Sequence, residues 1–171
     1  FVSAALHRSL DGKRVINYAQ WQRAEDWQAL ARQGAELFSR FRGVASSDPH
    51  LYDVVYLSAA AKTAHVTIER ASPLTTMINV FNVEPEKQEQ LIDIWLEEGK
   101  KFEAWPGFVS AALHRSLDGK RVINYAQWQK AEDWQALARQ GAELFARFRG
   151  VGASDPHLYE VVYLSKTPRR E

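Results

Sequence analysis

The chain contains no cysteine and almost no net charge, and each absence excludes a class of function. Without cysteine there are no disulfides, thiolate metal sites or cysteine nucleophiles. Its 22 basic and 21 acidic residues leave a formal net charge of +1, which supplies no field to attract nucleic acid or an acidic membrane. The sequence also lacks a long apolar span and a signal-peptide pattern. We therefore expect a globular cytoplasmic protein that binds neither nucleic acid nor membrane.

The most informative feature that is present is an internal repeat. Residues 1–58 return as residues 108–165 at a constant offset of 107, and the two stretches differ at five positions only. The two copies should fold alike and share any chemistry. Because the chain opens at Phe1 without a Met, we expect it to be an excerpt of a longer protein.

The second copy alternates strand-like and helical patterns. The strand-like runs are residues 77–83, 108–117, 120–129 and 158–164. The helical patterns are residues 86–105 and the apolar stripe from Trp134 to Phe148. Asp118-Gly119 is a strong turn signal that joins the second and third strands as a hairpin. The resulting order is βαββαβ, which predicts an α+β, ferredoxin-like unit with an antiparallel sheet.

The third strand of this unit is apolar on both faces. Its even-numbered residues from Val122 to Trp128 point one way, whereas Ile123 and Tyr125 point the other. Helices can cover one face of the sheet, so a second sheet must cover the other. We therefore predict two units packed sheet to sheet, formed either by self-association or within one chain as an intramolecular pseudo-dimer.

The first copy is incomplete by the same criteria. Residues 1–58 contain the hairpin, the second helix and the last strand, but no counterpart of the first strand and helix. A linker at 59–74 follows, in which residues 65–70 alternate enough for a short extra strand. The complete domain then covers 75–165, and 166–171 form a tail. The missing segment could precede the chain, come from a neighbouring molecule, or be supplied by the strand and helix before the second hairpin as a circular permutant.

Three segments of the second copy resemble a known family. They are Pro106-Gly107-Phe108-Val109-Ser110, Leu113-His114-Arg115-Ser116-Leu117-Asp118-Gly119 and Val122-Ile123-Asn124-Tyr125-Ala126-Gln127-Trp128. This pattern is similar to that of the antibiotic biosynthesis monooxygenases, and the order of elements matches their dimeric α+β barrel. The resemblance implies an enzyme that uses no cofactor and no metal, and that oxidises an electron-rich, anthrone- or polyphenol-like small molecule with O2.

The same resemblance implies the residues of a pocket. An Asn and a Trp of the family map onto Asn124 and Trp128, and onto Asn17 and Trp21 in the first copy, as candidate catalytic residues. Further aromatic and amide side chains are expected to bind the substrate: Trp134, Trp27, Asn79, Phe81, Phe145 and Phe148.

Two positions depart from the family pattern. Trp134, with Trp27 in the first copy, stands where the family has a phenol, so a possible proton donor is missing. Phe148 stands where the family has a basic residue, with Arg147 and Arg149 on either side. The resemblance therefore leaves the proton donor unassigned.

These residues are compatible with oxygenase chemistry. Triplet O2 reacts slowly with closed-shell organic molecules, so most oxygenases use flavin or a metal. The sequence has no flavin fingerprint, no Gly-rich phosphate loop and no His/carboxylate triad. A substrate that loses a proton easily can act as its own reductant, with Asn124 bonding the developing oxyanion and Trp128 stacking on the ring.

Two other functions remain open. A non-catalytic module for small-molecule binding or assembly would keep the barrel without the chemistry. Haem degradation, found in a related branch of the fold, would be expected to use an axial His on the second helix, and residues 132–149 contain none. On composition alone, Trp128 and Trp134 fit a core role better than a catalytic one.

Overall fold

The computed structural model describes residues 1–41, 43–58 and 66–166. The strands in this part of the chain are β1 (Ser3–Ser9), β2 (Val15–Gln20), β3 (Tyr52–Leu57), β4 (Thr75–Val83), β5 (Phe108–Ser116), β6 (Arg121–Trp128) and β7 (Gly152–Lys166). The helices are α1 (Ala24–Gln33), α2 (Ala35–Ser39), α3 (Gln88–Glu103), α4 (Ala131–Gln140) and α5 (Ala142–Ala146), with a 3-10 turn at Pro85–Lys87 before α3. None of the described helices is long and apolar enough to cross a membrane.

The second copy forms the predicted βαββαβ unit. Its strands lie in the order β7-β4-β6-β5, and each neighbouring pair is antiparallel. The main core lies between this sheet and the helices, and it includes Val122 and Trp128 from one face of β6. Tyr125, on the other face of β6, is 2% exposed and belongs to a second cluster with Ile123. The prediction that both faces of this strand are covered is confirmed.

The last strand of each repeat pairs with the hairpin of the other repeat. β3 of the first copy pairs with β5, and β7 of the second copy pairs with β1, so that all the strands form one seven-stranded sheet in the order β2-β1-β7-β4-β6-β5-β3. His7 on β1 contacts Tyr125 on β6, with Nε2 and Oη 3.1 Å apart. Because β1 and β6 are not neighbours in the sheet, this contact requires the sheet to curl on itself. The first copy thus covers the free face of the second.

The sheet has two free edges, β2 and β3, and both belong to the first copy. In the second copy, β4 lies between the strands that correspond to them, and it pairs with β6 on one side and β7 on the other. β4 therefore completes the second unit and is not permuted onto the first. Among the described residues, no strand occupies the equivalent place beside β2.

The last strand is longer than the sequence predicts. It begins at Gly152 instead of residue 158, because its first half, from Gly152 to Tyr159, pairs with β4 while its second half pairs with β1. The turn and proline signals before residue 158 concealed the first half. The second predicted helix is divided at Gly141 into α4 and α5.

The extra strand predicted at 65–70 is absent from the residues described there, 66–70. Val66 and Ile68 instead pack against the cluster that contains Tyr125. The carbonyl oxygen of Thr67 accepts a hydrogen bond of 2.8 Å from Nε2 of Gln127. At Thr67 the backbone carbonyl is therefore bonded by the side chain of Gln127, and the residue is not part of a β-strand. Residues 59–65 of the predicted linker and 167–171 of the predicted tail lie outside the described residues.

Candidate active site

A cavity lies between the sheet of the second copy and its helices. Its lining is mostly aromatic: Asn79, Phe81, Trp95, Phe102, Glu103, Phe108, Asn124, Ala126, Trp128, Trp134, Leu137, Phe145 and Phe148. The cavity volume is only about 30 Å³, which is space for one or two water molecules. A flat polycyclic ligand would therefore have to displace side chains. Among the lining rings, Phe108, Trp134 and Phe145 are only partly buried.

All the second-copy residues predicted for the pocket line this cavity. On the strands these are Asn79 and Phe81 from β4, and Asn124 and Trp128 from β6. Their side chains share one face because each pair is an even number of residues apart along its strand. Sequence reasoning missed Trp95, Phe102, Phe108 and Leu137, although the apolar stripe of α3 signalled the first two. Nothing in the sequence pattern signalled Glu103.

The polar groups in the cavity differ in how they are bonded. Asn79 Oδ1 accepts hydrogen bonds from Ser154 Oγ at 3.0 Å and from the backbone N–H of Asp155 at 3.1 Å. Asn124 Oδ1 is shielded from solvent and has no hydrogen-bond partner, and the same is true of Trp128 Nε1. Leaving such groups unpaired costs about 1 to 3 kcal/mol each. An amide acceptor and an indole donor are therefore both available to a ligand.

Aromatic contacts hold Trp128 in place. The side chain is 1% exposed, and its ring centroid lies 5.5 Å from that of Phe108 and 5.9 Å from that of Trp134. Trp134 in turn contacts Phe145 edge to face at 6.2 Å. Edge-to-face and tilted packing of this kind is favourable for rings.

The start of α4 fixes the position of Trp134. The backbone N–H of Lys130 donates to Asp133 Oδ2 at 3.1 Å, which caps the first turn. Gly107 lies against this carboxylate with φ of 82°, and an added Cβ would come within 2.1 Å of Asp133 Oδ2. Only glycine allows the loop after α3 to approach the helix this closely.

The basic residues near the end of this unit do not serve the cavity. Arg147 Nη1 lies 2.6 Å from Glu97 Oε2 and 2.8 Å from Glu98 Oε1. Hydrogen bonds from Lys101 and then Arg147 hold the pKa of Glu98 below its usual value. Phe148, between the two arginines in sequence, lines the cavity instead. The position of the family's basic residue is thus apolar in this chain.

The candidate residues of the first copy form only half of such a site. Trp21 contacts Phe1 at 5.4 Å and Trp27 at 5.9 Å, and Trp27 contacts Phe38 at 6.1 Å. These contacts repeat the aromatic arrangement of the second copy. However, Asn17, Trp21 and Trp27 do not line the cavity, and the described residues provide no equivalent of β4 and α3 to cover them.

A second polar cluster lies on the opposite face of the sheet, between the repeats. His7 Nε2 and Tyr125 Oη are 3.1 Å apart, and His114 Nε2 and Tyr18 Oη are 2.9 Å apart. Burial lowers the pKa of both histidines and raises the pKa of Tyr125 to about 12. This cluster faces away from the cavity and was not predicted as a site.

Comparison with known proteins agrees with this geometry. Residues 75–149 match the family model described as antibiotic biosynthesis monooxygenase. Over 72 residues the chain is 44% identical to the tetracenomycin-F1 monooxygenase of Streptomyces glaucescens, a stretch that is 42% of this chain and 64% of that protein. The chain thus spans slightly less than two thirds of the length of this relative.

Solved structures share the fold of both repeats. An anthrone oxidase-like protein superposes with a TM-score of 0.75 at 24% identity, over 96% of this chain and 78% of its own. A protein of Fusobacterium nucleatum superposes with a TM-score of 0.58 at 10% identity, over 97% of this chain and 78% of its own. The predicted family resemblance is confirmed for residues 75–149, which match the antibiotic biosynthesis monooxygenase family model and resemble one of its curated monooxygenases.

Proposed function

We propose that the second copy is a cofactor-independent monooxygenase that oxidises an electron-rich, anthrone- or polyphenol-like molecule with O2. The observation that carries this proposal is the pair of unpartnered polar atoms in the aromatic cavity, Asn124 Oδ1 and Trp128 Nε1. One is an acceptor and the other a donor, so together they fit a hydroxyl group and a carbonyl or enolate oxygen of one ligand. The aromatic walls would stack on a flat ring system once side chains have moved apart to admit it.

The reaction follows from the chemistry of such a substrate. Loss of a proton from an acidic C–H group gives an enolate, which can transfer an electron to O2 and then form a C–O bond. The resulting hydroperoxide loses water to leave a carbonyl group, so that CH2 and O2 become C=O and H2O. Trp128 Nε1, or the amide nitrogen of Asn124, would stabilise the enolate oxygen in an apolar surrounding, where hydrogen bonds to a developing charge are most effective.

The related proteins support this substrate class. The relative that is 44% identical over 72 residues is named for oxidation of tetracenomycin F1, and a structure with the same fold is described as anthrone oxidase-like. We extend the activity to this chain because the cavity is closed by its own β4 and α3, and contains the two unpaired groups.

Oxygen uptake provides the test. Purified protein should consume O2 with a panel of anthrones, hydroquinones and related phenols, without added flavin or metal and in the presence of a chelator. The consumption should be lost in Asn124→Ala while the protein remains folded. No turnover across the panel, or turnover that needs added flavin or metal, would contradict the proposal and favour a binding module.

A further inference from the structure

Glu103 places a carboxylate on the wall of the cavity. Among the described residues that line this space, it is the one ionisable side chain. It is the last residue of α3 and is partly buried. Two nearby basic residues are engaged elsewhere, since Lys101 Nζ lies 2.7 Å from Glu98 Oε2 and Arg147 pairs with Glu97 and Glu98. None of the ion pairs among the described residues includes Glu103.

Tyr56 holds this carboxylate. Its hydroxyl donates a hydrogen bond to Glu103 Oε1, and its ring lies 5.3 Å from that of Trp95, which also lines the cavity. Burial, and then the bond to Glu103, raise the pKa of Tyr56 to about 12. The phenol thus keeps its proton at ordinary pH and acts as a donor to one carboxylate oxygen. The other oxygen, Oε2, accepts no hydrogen bond from the described residues.

This tyrosine comes from the other repeat. Tyr56 lies on β3 of the first copy and reaches the cavity of the second because β3 pairs with β5, with Tyr56 opposite Leu113. Its counterpart, Tyr163, lies opposite Leu6 in the same register on β7 and β1. Tyr163 is 55% exposed, because the described part of the first copy has no α3 and hence no equivalent of Glu103. The chain therefore contains a matched control for Tyr56.

We propose that Glu103 is the general base of the cavity and that Tyr56, contributed across the repeat interface, is its positioning residue. This inference rests on the proposed oxygenase function and supplies the proton-transfer group that the chemistry requires. The sequence lacks the family's phenol at Trp134, and Phe148 replaces the basic residue, so neither of those positions can transfer a proton.

Glu103 can carry out every proton transfer of this reaction. Its free oxygen takes a proton from the acidic C–H of the substrate, and the electron pair of the broken bond becomes the enolate. After O2 has taken an electron and the C–O bond has formed, Glu103 returns this proton to the peroxide. It then takes the second proton from the same carbon as the O–O bond breaks, and gives it to the departing hydroxide to form water. The carboxylate is regenerated at the end of the cycle.

Deuterium exchange without oxygen isolates the first of these steps. A model anthrone is incubated anaerobically in D2O with the protein, and the loss of its C–H signal is followed by NMR. Wild-type protein should accelerate exchange over the buffer rate. Glu103→Gln should reduce the acceleration by at least about 100-fold, as expected for removal of a general base. Glu103→Asp, which keeps the carboxylate, should retain part of the exchange and serves if the Gln variant folds poorly.

The tyrosines distinguish positioning from a structural role. Tyr56→Phe should lower the exchange rate and kcat about tenfold with little change in KM, and should have no further effect in the Glu103→Gln background, because the two side chains act together. Tyr163→Phe should leave both rates at wild-type values.

Three failures can be told apart. If wild-type protein consumes O2 and Asn124→Ala does not, yet Glu103→Gln exchanges and turns over at the wild-type rate, the oxygenase proposal stands and the role of Glu103 is wrong. If Tyr56→Phe and Tyr163→Phe lose activity equally, in proportion to folded protein, Tyr56 is not a positioning residue. If wild-type protein neither exchanges nor consumes O2, the oxygenase function itself is wrong.

Discussion

Asn79 and Asn124 lie directly opposite each other on β4 and β6, but their amides are bonded differently. Oδ1 of Asn79 accepts two hydrogen bonds from the start of β7, where Pro156 in the ladder opposite Asn79 has no backbone N–H to donate. Oδ1 of Asn124 accepts none. One amide thus stabilises the sheet, and the other remains available for a ligand.

Replacing these two residues by alanine should therefore have opposite effects. Asn124→Ala should reduce kcat by about 10²- to 10³-fold, a loss of the size found when a polar group that bonds the reacting part of the substrate is removed. The free energy of unfolding should change little, because Asn124 Oδ1 has no partner in the protein. Asn79→Ala should lower the free energy of unfolding by about 1 to 3 kcal/mol, because it leaves the Asp155 N–H without its acceptor. Urea unfolding and oxygen uptake on both variants check this, and equal loss of stability in both would contradict it.

Trp128→Phe should weaken substrate binding more than it weakens the fold. The change removes ring area from the cavity wall and deletes an indole N–H that has no partner in the protein. We expect KM to rise about fivefold to tenfold, which corresponds to roughly 1 to 1.4 kcal/mol of lost contact. Steady-state kinetics beside a melting curve measure both effects. A large fall in melting temperature with unchanged KM would show that Trp128 is a core residue only.

Acidification should destabilise the interface between the repeats. Burial holds the pKa of His7 and His114 below their ordinary value of 6.5, while their partners Tyr18 and Tyr125 stay protonated because burial raises their pKa. Below about pH 6.5 the unfolded chain therefore binds more protons at these sites than the folded one, and the free energy of unfolding falls as pH decreases. The loss should continue until the pH reaches the lowered pKa values of the folded state.

Urea unfolding across this range measures the effect of acidification. Because other groups also titrate, the control is the double variant His7→Gln/His114→Gln, whose stability should depend less on pH below 6.5 than that of the wild type. Each unit of lowered pKa contributes about 1.4 kcal/mol at the acidic end. Parallel curves for the two proteins would show that the histidines do not cause the dependence.

We propose that residues 1–58 are a unit that lacks its first strand and helix, and this can be tested by supplying them. Joining a second copy of residues 75–107 directly before Phe1 should place a strand beside the free edge of β2 and a helix over Trp21 and Trp27. Ligand binding should then rise from one molecule per chain to two, measured by calorimetry with a non-reactive anthraquinone. Trp21→Ala in the extended chain should restore one. Unchanged stoichiometry in the extended chain would contradict the proposal.

The sequence predicted more of the fold than of the site's chemistry. Hairpin and helix signals are local, so Asp118-Gly119 and the stripes of the helices gave the correct order of elements. The pairing of β3 with β5 and of β7 with β1 was not predictable, because β3 and the second half of β7 have nearly the same sequence and the choice of partner depends on non-local packing. For the same reason Glu103 gave no signal: its importance arises from Tyr56, 47 residues earlier in the chain.

The near-identity of the repeats also affects how the chain folds into the single seven-stranded sheet. β3 pairs with β5 and β7 with β1 in equivalent registers, Tyr52 opposite Ser116 and Tyr159 opposite Ser9. A refolding strand therefore meets almost the same partner in either repeat and in every neighbouring molecule. Local pairing energies do not distinguish pairing within one chain from pairing between two chains. Pairing within the chain is therefore favoured only by the effective concentration that the connection between the repeats provides. Concentrated refolding should consequently produce chains interlinked through their last strands, whereas dilution should favour the closed single molecule.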